Sequence, residues 1–155
     1  MPKRNTKNRT IQITDFAFEK IMAWSQALDE VGFFAVGKGF VITDAFRVMN
    51  LASSPRNWFF HLKKEENEIR QKVRSLGLEV ICQGHSHPHH LHLKRPSKAD
   101  YSYFPKKSYQ MICFPIERRL GVWFFSKSYQ NTLKSQIKIQ LQGICGDVNL
   151  GDKCI

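Results

Sequence analysis

Cysteine is scarce in this chain: Cys82, Cys113, Cys145 and Cys154 are spread over 155 residues with no CxxC pair and no zinc-finger spacing. The sequence therefore does not read as a cysteine-ligated metal module, and at this length it can bury a real core without disulfide help. Cys82 and Cys113 fall in apolar runs and are expected to be small buried thiols. Cys145 and Cys154 stand in the Gly-rich end GICGDVNLGDKCI, where nothing else in the sequence supports a bridge. Also missing is any apolar run long enough to span a bilayer. The opening MPKRNTKNRT has no apolar segment behind it, so no secretory signal is read there. The expectation is a cytoplasmic protein with free thiols. Acidic residues are few as well, 13 against 24 Lys and Arg, leaving a formal charge of +11. Such a field attracts acidic partners, either nucleic acid or an acidic protein surface. No aromatic-interleaved nucleic-acid motif accompanies it, so nucleic acid is not the favoured partner.

What is present is a soluble-type pattern, 42% apolar and 24% charged. TIQIT (10–14) alternates as a strand. DFAFEKIMAWSQALD (15–29) gathers Phe18, Ile21, Met22 and Leu28 on one helical face, with Thr14 or Asp15 as its cap. VGFFAVG (31–37) reads as a buried strand that turns at Gly37-Lys38-Gly39 into a second strand over 40–49. NWFFHL (57–62) reads as a third, with His61 a strand or edge residue. KKEENEIRQKVRSLG (63–77) is predicted helical, with Ile69, Val73 and Leu76 inward and Gly77 closing it. Strands follow over 78–86, 108–116 and 120–128 and around Ile137, Ile139 and Leu141, with a short helix after Pro96. This order predicts an α/β fold with a mixed sheet and packed helices. It is read as one domain over 10–142, between a disordered basic tail (1–9) and a C-terminal tail (143–155).

The chemistry is concentrated in GHSHPHHLHLKRPSKAD (84–100), where five histidines occupy eight positions. His85 and His87 end a strand two residues apart, so both face one side, roughly 7 Å apart at Cα. Two imidazoles at that spacing can converge on one ion. Ser97 and Asp100 have the spacing of a helix capping box, and a capped first turn also holds a carboxylate rigidly. Two histidines and an aspartate leave a fourth tetrahedral position open, the arrangement of a catalytic rather than a structural zinc. His89, His90 and His92 are expected to be loop or substrate-facing residues.

HSHP followed by PSxxD resembles the JAMM signature of the JAB1/MPN (Mov34) metalloprotease family. EVGFFAVGK, beginning at Glu30, is similar to that family's upstream glutamate segment, and EIRQKVRSLGLEVICQGHSHP to its approach to the histidines. The resemblance covers roughly residues 10–142. It implies a cytidine-deaminase-like fold with a mixed sheet between helices, and a Zn2+ ion held by His85, His87 and Asp100. It further implies Glu30 as general base and Ser97 as a stabiliser of the oxyanion; neighbouring Asp29 is the competitor for the base. The stretch between His87 and Ser97 is two residues longer than the family usually has. The activity implied is that of an isopeptidase or peptidase acting after the C-terminus of a ubiquitin-like modifier, with E1- or E2-like proteins of the same operon as further partners. The alternative is a nucleic-acid-associated domain resembling RadC, which carries a similar HxHP…PSxxD pattern.

Overall fold

The computed structural model describes residues 9–90 and 95–140. Strand β1 (Ile11–Thr14) leads directly into helix α1 (Asp15–Trp24). The Thr14 hydroxyl accepts the Ala17 N–H, and Asp15 sits in the first turn, where a negative charge complements the helix dipole. The helix is shorter than its pattern predicts. The Ser25 hydroxyl and N–H both turn back to the Ile21 carbonyl, and residues beyond Trp24 leave the helix. Leu28, expected on the buried face, is consequently 62% exposed.

Strands β2 (Gly32–Lys38) and β3 (Val41–Val48) form the expected antiparallel hairpin. Helix α2 (Lys63–Ser75) has Glu65 and Glu66 in its first turn and Lys72 and Arg74 in its last. It stops at Gly77, which takes a positive φ of 69°. Val73 is buried as predicted, but Leu76 lies past the helix end and is exposed. Strand β4 (Glu79–Ser86), helix α3 (Lys98–Tyr103), and strands β5 (Ser108–Phe114), β6 (Arg119–Phe125), β7 (Leu133–Ser135) and β8 (Ile137–Gln140) follow among the described residues. The stretch 57–62 is not a strand. Its outer residues Trp58, Phe60 and Leu62 are exposed while Phe59 points inward, so the alternation is real but carries no sheet pairing.

The eight strands form one mixed sheet in the order β7-β6-β5-β4-β2-β3-β1-β8. Its two edge strands are consecutive in sequence, separated only by Gln136, whose carbonyl accepts the Ile11 N–H. A one-residue link cannot span a flat eight-stranded sheet, since neighbouring strands stand about 4.8 Å apart. The sheet therefore curls until it is nearly closed. Both of its faces are apolar. Phe33 and Ala35 of β2 join Met111, Cys113 and the α1 residues Phe18, Ile21 and Met22 in one cluster. Phe34, Val36, Ile112, Phe114 and Trp123 join Val73 of α2 and Phe104 in the other. Burial on both faces is why these strands read as continuous apolar runs. Cys82 and Cys113 are free, buried thiols, and burial pushes both upward, Cys113 to about 11. His92, Cys145 and Cys154 lie outside the described residues.

Candidate metal centre

Strand β4 ends at the centre of the sheet, paired antiparallel to β2 and parallel to β5. That pairing delivers the histidines. His85 lies opposite Gly32 and Ile112, and the His87 N–H donates to the Cys113 carbonyl. Ser86, facing the other way, accepts the Val31 N–H through its hydroxyl at 2.8 Å and donates its own N–H to the Val31 carbonyl. This double link sets Glu30 beside the histidines, although 55 positions separate Val31 from Ser86. Glu30 is 5% exposed, whereas Asp29 is exposed.

Asp100 arrives from the first turn of α3. The capping box is complete: Asp100 N–H donates to Ser97 Oγ at 3.0 Å, and Ser97 N–H donates to Asp100 Oδ2 at 3.1 Å. Asp100 Oδ1 then stands 3.0 Å from His85 Nε2, which is itself 2.9 Å from His87 Nε2; His87 Nε2 is 3.6 Å from Asp100 Oδ2. Three donors each about 2.0–2.1 Å from one tetrahedral ion would be about 3.3 Å apart. The observed 2.9–3.6 Å brackets that value. Two imidazole nitrogens aimed at each other and at a carboxylate suit a shared cation, and the His-His-Asp set fits a metal ion.

The electrostatics agree. Burial works to raise the Asp100 carboxyl, but His85 and His87 overcome it and hold it well below the usual carboxylate range. Burial likewise works to lower His85, and Asp100 and Glu30 reverse the sign, so positive charge is drawn to that ring. His87 is pushed down, chiefly by burial, and stays neutral as a metal ligand must. Glu30 is raised to about 7 by burial and by Asp100, partly offset by His85. A carboxyl poised near neutrality suits proton transfer.

Glu30, His85, His87, Ser97 and Asp100 share one cleft of about 370 Å³, so the structure brings all five predicted residues together. His90 also lines it, with its ring 5.4 Å from that of His87, while His89 Nε2 lies 2.9 Å from the Leu28 carbonyl. The rest of the wall was not predicted. It includes Asn57, Trp58 and Phe59 of the segment after β3, and Tyr103 and Phe104 at the end of α3. Phe59 lies over Gly32, where a Cβ would stand 1.9 Å from its ring, and it stacks toward His85 at 6.3 Å. Only glycine opposite His85 admits that ring. Asn50 holds the segment in place: its Nδ2 donates to the Glu30, Pro55 and Trp58 carbonyls, and its Oδ1 accepts the Ala52 and Phe60 N–H groups. The glycine that opens the apolar strand β2 was the available signal, but it acquires meaning only once Phe59 is seen to lie over it.

No family model and no curated protein sequence matches the chain. Solved structures do. A solution structure of a protein from Desulfitobacterium hafniense is 20% identical, covering 85% of this chain and 95% of that one at a TM-score of 0.70. One from Salinibacter ruber is 17% identical, covering 84% and 92% at 0.59. The crystal structure of a JAB1/MPN domain protein from Archaeoglobus fulgidus is 18% identical, covering 83% and 98% at 0.51. The curled mixed sheet with its three helices thus has the fold of a JAB1/MPN domain.

Proposed function

We propose that this chain is a zinc-dependent isopeptidase or peptidase that cleaves after the C-terminus of a ubiquitin-like modifier. The observation that carries the reading is the convergence of His85, His87 and Asp100 in a cleft that also holds the raised carboxyl of Glu30. The reading brings with it JAMM-type zinc chemistry, a cytidine-deaminase-like placement of the sheet between helices and a cytoplasmic setting.

His85 and His87, through Nε2, and Asp100, through its carboxylate, would hold the ion. A zinc ion held there would supply Lewis acidity, which lowers the pKa of water toward neutrality and polarises a carbonyl. Glu30, deprotonated, takes the proton from the attacking water and passes it to the leaving amine. Ser97 uses one lone pair of Oγ to accept the Asp100 N–H. Its hydroxyl hydrogen remains to donate to the developing oxyanion. The aromatic wall of Trp58, Phe59, Tyr103 and Phe104 limits water around these groups. The partners proposed are the modifier or its conjugate, together with E1- or E2-like proteins.

A second reading, a RadC-like nucleic-acid-associated domain, is favoured only by the charge of +11. One experiment separates the two. Zinc-loaded protein is incubated with a panel of ubiquitin-like proteins extended beyond a C-terminal diglycine, and in parallel its affinity for duplex DNA is measured. The peptidase reading expects cleavage at the diglycine that Glu30→Gln abolishes. Tight DNA binding with no cleavage replaces it with the second reading.

A further inference from the structure

Beside the histidine-aspartate cluster the described residues contain a second string of polar side chains that begins buried and ends in the same cleft. It starts at Glu66 in α2, which is 6% exposed. Its carboxylate accepts from Lys63 Nζ at 3.0 Å and Arg70 Nε at 3.1 Å, and His61 Nε2 lies 3.2 Å away. On the opposite edge of the imidazole, His61 Nδ1 is 2.8 Å from the Tyr103 hydroxyl, which also accepts the His61 main-chain N–H at 3.1 Å. Tyr103 lines the cleft three residues beyond Asp100.

The donor and acceptor roles along this string follow from one end. Burial alone would raise Glu66, but the hydrogen bonds from Lys63, Arg70 and His61 hold it below the usual carboxylate range, so it is an anion that can only accept. His61 Nε2 must then carry a hydrogen. Lys63 and Arg70 together already exceed the single negative charge of Glu66. A further cation on a side chain only 8% exposed would have no anion left to pair with, which leaves the Nδ1 edge to offer a lone pair. The Tyr103 hydroxyl therefore spends its only hydrogen on His61 Nδ1. Its oxygen also accepts the His61 main-chain N–H, so what it has left for the cleft is one remaining lone pair and no hydrogen. A tyrosine whose proton is committed elsewhere recognises donors and rejects acceptors.

We propose that Tyr103 is a substrate-binding residue that accepts a main-chain N–H of an extended peptide lying in the cleft, with His61 and Glu66 as the positioning residues that hold its hydroxyl in the acceptor role. The assignment of a peptide as the ligand rests on the peptidase reading above; the tautomer chain does not. The same contacts tie the segment carrying Phe59 to α3, since the Phe59 ring stacks on His61 at 5.5 Å and meets the Tyr103 ring edge-on at 6.1 Å.

Two measurements on the metal-loaded full chain test the proposal. Imidazole nitrogen NMR at neutral pH should show His61 as the neutral Nε2–H tautomer, with its Nδ1 resonance moving in Tyr103→Phe. A doubly protonated His61, or the Nδ1–H tautomer, overturns the acceptor role whether or not any substrate is known. On a ubiquitin-like fusion that the wild type cleaves, Tyr103→Phe should raise KM by roughly tenfold, the scale of one lost hydrogen bond, with kcat within about twofold. Zinc content should stay at the wild-type value, while Tm should fall modestly because His61 Nδ1 and the His61 main-chain N–H lose their partner. An unchanged KM overturns the proposal, as does a fall in kcat with KM constant. If the wild type cleaves no fusion, the peptidase reading fails and the peptide contact falls with it, while the NMR result still decides the tautomer chain separately.

Discussion

Glu30 separates a hydrolase from a protein that merely binds a metal. It touches the cleft without being one of the three converging ligands, and burial raises its carboxyl to about 7. Glu30→Gln keeps the shape and removes the base. Metal content is expected to stay near one ion per chain while hydrolysis falls by on the order of 10² or more; full activity with metal bound would leave the proposed mechanism without its base. The ligands make the reverse prediction. His85→Ala, His87→Ala and Asp100→Ala should each empty the site in atomic absorption measurements, whereas His89→Ala and His90→Ala should not. His89 faces the Leu28 carbonyl, and His90 stands in the wall of the cleft outside the three-residue cluster. If His90→Ala released the metal, the ligand set would have to be redrawn. The candidate ligands and Ser97 were legible because their spacing is local: two histidines one strand repeat apart, and a serine and an aspartate one helical turn apart. Ser86 was not legible, since its role as acceptor for the Val31 N–H depends on a strand 55 positions away.

At the scale of elements, the segment from Asn50 to Leu62 departs most from its pattern. Its end, 57–62, alternates like a strand yet pairs with none, and the segment's fixed shape comes from Asn50, whose amide reaches five main-chain groups. Removing that side chain leaves several donors and acceptors without partners. Asn50→Ala should cost about 1–3 kcal/mol. Amide exchange at Ala52 and Phe60 should rise, while metal content is expected to hold, because the candidate ligands lie at the end of β4, just beyond it and in α3. Exchange rates unchanged at both amides would show the segment to be held by other contacts. Gly32 belongs to the same arrangement. A methyl group there meets the Phe59 ring at 1.9 Å, so Gly32→Ala must displace Phe59 from beside His85. Overpacking of this kind costs typically 1–3 kcal/mol, and the cleft should lose its aromatic wall along with the stability.

For the molecule as a whole, acid stability and surface charge carry separate predictions. Glu66 is buried at the junction of α2, His61 and Gln83, and its carboxyl is held below its ordinary value of 4.5. A carboxyl with a lowered folded-state pKa stabilises the fold above the unfolded value, and the contribution is lost as pH falls through the folded one. Glu66→Gln should therefore cost about 1–3 kcal/mol at pH 7. The gap from wild type in urea midpoint should close as pH drops below 4.5. A gap that is constant with pH would mean the loss is one of packing rather than charge. The formal charge of +11 should speed encounter with acidic partners and fade with added salt, since exposed charges are screened beyond about 8 Å at physiological ionic strength. Association rates measured across a salt series against an acidic ubiquitin-like protein and against duplex DNA would show which partner the field serves.

The amino-acid sequence alone determined the order of most elements, the apolar strands at the centre of the sheet, and the histidines, serine and aspartate of the site. Each of these is written in short-range periodicity or spacing, where side-chain direction follows from the two-residue repeat of a strand or the first turn of a helix. The tertiary structure decided which acid faces the cleft, because burying Glu30 while exposing Asp29 depends on how β2 registers against β4. It decided that α1 ends at Trp24, where Ser25 bonds back to Ile21, and that 57–62 stays irregular under the hold of Asn50. It alone joined Glu66, His61 and Tyr103, which lie on α2, the preceding segment and α3. The reason is the same in each case. These contacts exist only after the sheet has curled and brought distant segments face to face, and no pattern of neighbouring residues encodes a partner that is reached through space.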